Sequence, residues 1–178
     1  MKIERVRREL DEMGAPYALI GAHAMAARGY PRFTVDIDLL TSERRVLDEG
    51  TWTALQREGA RVDPRRGDDD DPLAGVVHIL LPDGIDIDIV VSKWKWESDV
   101  IARSEMLAVA EGVTVPVPLT SDLILLKLAA GGFMDLRDAA ALLAVGDRDT
   151  LTREVESRIA DVVPDIRAVW RELLASSN

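Results

Sequence analysis

Two Asp-Ile-Asp triplets, Asp36-Ile37-Asp38 and Asp86-Ile87-Asp88, carry the clearest chemical potential in this sequence. Side chains two apart on a strand leave from the same face, about 7 Å apart at the backbone, so both carboxylates of a triplet can turn toward a shared ligand. Carboxylate oxygens suit hard divalent cations, and two such cations about 4 Å apart stabilise the attacking and leaving oxygens of an in-line phosphoryl displacement. A third carboxylate on a neighbouring strand would complete such a cage. Either triplet alone is also what an ordinary half-exposed strand shows, isoleucine inward and aspartate in water. Together they resist that reading, because aspartate is a poor strand former and four mutually repelling strand carboxylates call for compensating charge.

The elements that would position these residues follow from periodicity. Ile3, Val6, Leu10 and Met13 fall on one helical face that Gly14 terminates. Residues 17–20 read as a short buried strand, and after Gly21 the Ala-rich stretch 22–28 reads as a helix ending at Gly29. Gly21-Ala22 thus closes a strand and opens a helix, where free backbone N–H groups can receive phosphate. Residues 33–40 alternate, placing Val35, Ile37 and Leu39 opposite Thr34, Asp36 and Asp38. The pattern predicts a helix over 43–59, a loop over 65–72 and a hairpin of strands 76–81 and 85–91 turning at Pro82-Asp83-Gly84. A helix over 97–106 and a strand over 113–117 follow. From Thr120 or Ser121 onward the chain reads as helical, with segments ending near Ala130 and spanning about 136–143, 151–162 and 164–175. The expectation is an α+β fold, with a mixed β-sheet flanked by helices over residues 1–118 and a C-terminal helical region over 119–178.

Composition excludes several classes. With no cysteine there is no disulfide framework, thiolate metal site or cysteine nucleophile, which suits a cytoplasmic protein. No apolar run approaches the ~20 residues of a membrane span, so no membrane partner is expected. A net charge of −10 disfavours nonspecific duplex binding, and 4% aromatic residues leave little for base-stacking platforms. The two histidines, His23 and His78, suggest neither a metal cluster nor a triad and read as structural. The aspartate run 68–71 lacks the glycine and glutamate of a calcium loop and reads as solvated. Trp94 and Trp96 could wall a pocket beyond the second acidic strand.

Gly21-Ala22, the short helix, Gly29, Arg32, Thr34 and Asp36-Ile37-Asp38 resemble the signature of the DNA polymerase beta-type nucleotidyltransferase superfamily, a glycine turn, a helix and an Asp-x-Asp strand. Downstream, Asp122-Leu123-Ile124, Lys127-Leu128 and Met134-Asp135-Leu136-Arg137-Asp138 are similar to small bacterial members, including AbiEii-like toxins. The resemblance implies a nucleotidyltransferase-like fold and a transfer of NMP from an NTP, with Mg²⁺ or Mn²⁺, to a hydroxyl of RNA, protein or a small molecule. It makes Asp36 and Asp38 metal ligands, Asp88 the best match to the third carboxylate that activates the acceptor, and Asp86 its rival. Gly21 and Ala22 would lie against the triphosphate, although many members carry serine where this chain has Ala22. Arg32 would reach phosphate or acceptor unless it pairs with nearby acid, and Lys127, interrupting an apolar run, would point toward phosphate or Asp138 unless it lies at the edge of a core helix. An operon-encoded toxin or antitoxin is a further implied partner. The competing readings are a catalytically weak module of the same fold that binds such a partner, and a metal-dependent phosphohydrolase.

Overall fold

The computed structural model describes residues 3–162 and 166–176. The chain opens with α1 (Glu4–Met13), whose Val6 and Leu10 are buried beside Ile3 and whose end is set by Gly14 at φ 64°. β1 (Tyr17–Ile20) runs directly into α2 (Gly21–Ala27), and β2 (Ile37–Thr41) follows. Two 3-10 turns (Arg44–Leu47 and Glu49–Trp52) and α3 (Thr53–Arg57) lead to β3 (Arg61–Arg66), β4 (Gly75–Leu80) and β5 (Asp86–Val91). Next come α4 (Lys95–Ala102) and the hairpin β6 (Glu105–Ala110) and β7 (Val113–Val117). The remainder is α5 (Thr120–Ala130), α6 (Phe133–Val145), α7 (Arg148–Arg158), a 3-10 turn (Ile159–Asp161) and α8 (Ile166–Ser176).

The main sheet has the order β1-β2-β5-β4-β3, with β2 and β5 parallel and all other neighbours antiparallel. It is the mixed sheet with flanking helices that the alternation of the sequence predicts. The inward residues Ile37, Leu39, Ile87, Ile89, Val77 and Ile79 are all 2% exposed or less. Their burial fixes the register, since a slip of one residue would put every one of them in water and every aspartate inside.

The structure corrects several sequence expectations. The second acidic strand and its hairpin partner lie where the alternation puts them, but the first strand begins only at Ile37, so Asp36 sits exposed between a bend at Val35 and that strand, its N–H bonded to Thr34 Oγ1 at 3.2 Å. The helix expected over 43–59 breaks at Asp48, whose ψ of 126° is extended, and Trp52 anchors the resulting turns by donating its indole N–H to Val46 O at 2.7 Å. Residues 65–66, expected in a loop, belong to β3, an edge strand in which Pro64 is tolerated because one side needs no ladder partner. The helix expected over 97–106 ends at Ala102, and β6 starts at Glu105. The end of the fourth C-terminal segment is as expected, whereas residues 163–165 at its start lie outside the described residues.

Candidate active site

One transverse row of residues crosses the outer face of the main sheet. Its register partners are Ile20 on β1, Asp38 on β2, Asp88 on β5, His78 on β4 and Asp63 on β3. Directly opposed residues share a face with Cβ atoms about 4.5–5.5 Å apart. The two triplets are thereby joined through their second aspartates: Asp38 and Asp88 stand side by side on parallel strands.

Burial, then the charge of Asp88, pushes the Asp38 carboxyl up to about 6, with Asp36 adding to the rise and Lys127 and Arg32 opposing it. Neither Asp38 oxygen accepts a hydrogen bond from the described residues, so the carboxylate of this half-buried residue is left to solvent or a ligand. Gly21 is the reason it can sit where it does. At φ 65° Gly21 turns the chain from β1 into α2, and a Cβ there would lie 1.9 Å from Asp38 Oδ2. Only glycine meets both demands. Ala22 is buried, so what the turn offers a ligand at that position is backbone.

The cations face this pair from the C-terminal helices and the loop before β2. Lys127 on α5 bonds Asp135 at 2.8 Å and Asp138 at 3.1 Å, both on α6, and Arg32 reaches the same Asp138 at 2.6 Å. Arg32 thus pairs with nearby acid, Lys127 points toward Asp138, and both charges still act on Asp38 at longer range. Asp88 Oδ1 is bonded to His78 Nδ1 at 2.5 Å. Asp86, two residues back on the same face, is exposed opposite Leu80 and lines a shallow depression of about 340 Å³ with Arg61, Asp63, Arg65 and His78.

The three-carboxylate cage expected from the sequence is therefore not closed by side chains alone, and among the described residues no three histidine or acidic groups converge as a metal site. The donor set still suits Mg²⁺, which keeps several waters and binds through one or two carboxylates plus substrate phosphates. Asp38 and Asp88 supply two hard oxygen donors whose mutual repulsion a cation relieves. His78, which the sequence alone reads as structural, stands against Asp88 in this row. The only signal that could have found it is its place opposite Asp88 in a hairpin register. Trp94 and Trp96 leave the site: Trp94 lies six residues beyond Asp88, about 20 Å along an extended chain, where its indole donates to Pro72 O, and Trp96 is buried.

No family model matches the sequence, and no curated protein matches it. Solved structures do resemble the fold. The antibiotic-resistance factor ANT(2'')-Ia in solution superposes with a TM-score of 0.59 at 17% identity, over 98% of this chain and 91% of that one. Its crystal structure with adenylyl-2''-tobramycin gives 0.57 at 15% identity, over 89% and 95%. The lincosamide antibiotic adenylyltransferase LnuA, with lincomycin bound, gives 0.50 at 10% identity, over 81% and 96%. The chain has the nucleotidyltransferase-like α+β fold, a mixed five-stranded sheet flanked by helices. No described helix is long and apolar enough to cross a membrane.

Proposed function

We propose that this protein is a metal-dependent nucleotidyltransferase that moves an NMP from an NTP to a hydroxyl acceptor and releases pyrophosphate. The observation that carries the reading is the Asp38–Asp88 pair, two register-matched carboxylates of which Asp38 accepts no hydrogen bond from the described residues and has a raised pKa. A protein that wanted Asp38 only for structure would have paired it, as it pairs Asp122 and Asp138.

Mg²⁺ or Mn²⁺ would be held by Asp38 and Asp88, with Asp36 just before β2 and Asp86 on the same strand face as further carboxylates. The metal supplies charge neutralisation for the triphosphate and the developing transition state. The rest falls to this chain. The Gly21 turn leaves room for the Asp38 carboxylate, and its backbone with that of Ala22 lies at the strand end where phosphate would be received. Arg32 and Lys127, held on Asp138 and Asp135, add positive charge on the opposite side. Asp88 accepts the acceptor proton as the hydroxyl oxygen attacks the α-phosphorus and the bond to pyrophosphate breaks.

The acidic surface and the antibiotic acceptors named for the fold neighbours favour a small polar molecule over RNA or a protein hydroxyl. An AbiEii-like role beside a toxin or antitoxin partner in the cytoplasm rests on the sequence resemblance alone. Ala22 in place of serine favours, as second reading, a catalytically weak module that binds such a partner. The catalytic core is assigned to 1–118 and the opposite wall to the helical region 119–178.

The test is transfer from α-phosphate-labelled triphosphates with Mg²⁺ and separate pools of small-molecule antibiotics, tRNA and lysate protein. One pool should become labelled, and Asp38→Asn or Asp88→Asn should abolish the label while far-UV circular dichroism is unchanged. Transfer of γ-phosphate only, or labelling that survives both substitutions, would sink the assignment. Absence of any labelled acceptor would favour the binding module.

A further inference from the structure

We infer that His78 is a positioning residue for Asp88, holding one oxygen of that carboxylate so that the other is presented to the metal and the acceptor. The inference rests on the function proposed above and names a residue that neither the sequence nor the fold comparison assigns.

The register leaves His78 little choice of partner. It stands on β4 directly between Asp88 on β5 and Asp63 on β3. Asp63 Oδ2 is already taken by Arg65, whose Nε and Nη2 donate at 2.9 and 2.8 Å. Among the described residues no arginine or lysine is bonded to Asp88, and its Oδ1 meets His78 Nδ1 at 2.5 Å. An ionised carboxylate offers only acceptors, so Nδ1 carries the hydrogen and the imidazole donates. Asp88 Oδ2 has no hydrogen-bond partner among the described residues, so its one free oxygen is the one that can serve a ligand.

A role in packing is a poor account of the residue. The His78 side chain is 41% exposed, its ring lines the open depression beside Leu80 and Asp86, and β4 turns the apolar Val77 and Ile79 inward instead. A half-exposed imidazole on the open face of the sheet adds little to the core, whereas a hydrogen bond that fixes the rotation of a metal-ligating carboxylate governs whether its lone pairs are aimed. Carboxylates beside the pair differ in this respect: Asp36 bonds the described residues only through its backbone, and Asp86 lies opposite Leu80, whose side chain has no donor to give. The same hydrogen bond also separates Asp88 from Asp86 as the third carboxylate, since only Asp88 is oriented.

The experiment reads metal binding rather than turnover. Free Mn²⁺ is counted by electron paramagnetic resonance in titrations of the whole protein with α,β-methylene ATP, which cannot release pyrophosphate. His78→Ala should weaken Mn²⁺ binding roughly 10–100-fold, the usual cost of losing a partner behind a metal ligand. His78→Asn, whose amide N–H replaces the Nδ1–H, should restore most of that affinity. His78→Gln, which places its amide at the position of Nε2, should not. All three should melt within a few degrees of the parent; if the alanine variant does not fold, the Asn and Gln pair decides. Equal affinity in His78→Ala and parent, with Asp88→Asn deficient, overturns the inference and leaves the proposed function standing. So does His78→Asn binding no better than His78→Gln. If Asp38→Asn and Asp88→Asn bind Mn²⁺ as the parent does, the function proposed above fails and the role of His78 fails with it.

Discussion

Asp122 and Asp38 are both aspartates taken largely out of water, and the protein treats them in opposite ways. Asp122 on α5 is fully buried, and Arg103 clamps it through Nη2 at 2.9 Å and Nε at 3.3 Å while Arg158 approaches at 3.3 Å. Ser121 extends the network, accepting from Arg158 at 2.8 Å and donating to Glu154 at 2.6 Å. Asp138 is treated like Asp122, shared by Arg32 and Lys127. Asp38 has another aspartate as its strongest charged influence and no cation in ion-pair contact among the described residues. Satisfied carboxylates tie α4, α5, α6 and α7 together. An unsatisfied one at the foot of β2 makes a place for something the chain does not contain. This difference separates an acid kept for architecture from one kept for chemistry, though both look alike in the sequence.

The sharpest way to break that comparison is to remove each acid in turn. Asp122→Ala leaves Arg103 and Arg158 without the buried acid that holds them; because both guanidiniums keep access to water, the cost should fall at the low end of the range for breaking a buried ion pair, about 3 kcal/mol, read as a lower denaturation midpoint in urea. Asp38→Asn should move the other way in metal-free buffer at pH 7, raising stability, because it removes a charge that the fold does not compensate. If both substitutions destabilise alike, Asp38 has a structural partner and the contrast is void.

A pH series sharpens the same point. The Asp38 carboxyl rises from an ordinary value near 3.8 to about 6 in the folded protein, so between those values the folded state binds more protons than the unfolded one. Stability therefore falls as pH rises through that window, by on the order of 2–3 kcal/mol in total, and levels off above it. Thermal melts in chelator from pH 4 to 7 should show this slope, and Asp38→Asn should flatten it. A slope unchanged by the substitution would assign the effect to another group.

Gly21 comes next in size. Gly21→Ala places a Cβ at positive φ, costing roughly 1–2 kcal/mol, and drives it against Asp38 Oδ2. The expected result is a modest loss in melting temperature with a disproportionate loss of Mn²⁺ binding, because the displaced carboxylate is the ligand. Retained metal binding would mean that the turn serves the chain reversal alone.

The legibility of these features in the sequence followed their physics. The strands of Asp38 and Asp88 were readable because isoleucine alternates with aspartate, and burial enforces that period. Gly21 was readable as a turn, but not as the space for a carboxylate, which needs tertiary contact. β3 was invisible because Arg61, Asp63, Pro64, Arg65 and Arg66 carry no apolar alternation, and its strand is held by the ladder to β4 alone. Asp36 was misplaced on a strand because Phe33 and Val35 imitate the inward residues of an alternating pattern, whereas they are 90% and 68% exposed. His78 looked like an isolated histidine. Its partner is ten residues away across a hairpin, and register is a property of the folded pair.

The smallest effect is expected at Lys95, whose ammonium holds Asp99 at 2.7 Å on α4. The distance rivals any in the Asp122 cluster, yet the lysine side chain is 84% exposed and water competes for both charges. The order along the helix is also unfavourable: the cation stands in the first turn, where the helix dipole prefers an anion, and acid-before-base is the better arrangement at this spacing. Lys95→Ala should thus change stability by less than about 0.5 kcal/mol, as exposed pairs usually do, and adding 0.5 M NaCl to the parent should change its midpoint no more than that of the variant. A loss approaching that of Asp122→Ala would mean that short ion-pair distance, and not burial of the charges, decides what a carboxylate contributes here, and the distinction drawn between Asp122 and Asp38 would have to rest on distance alone.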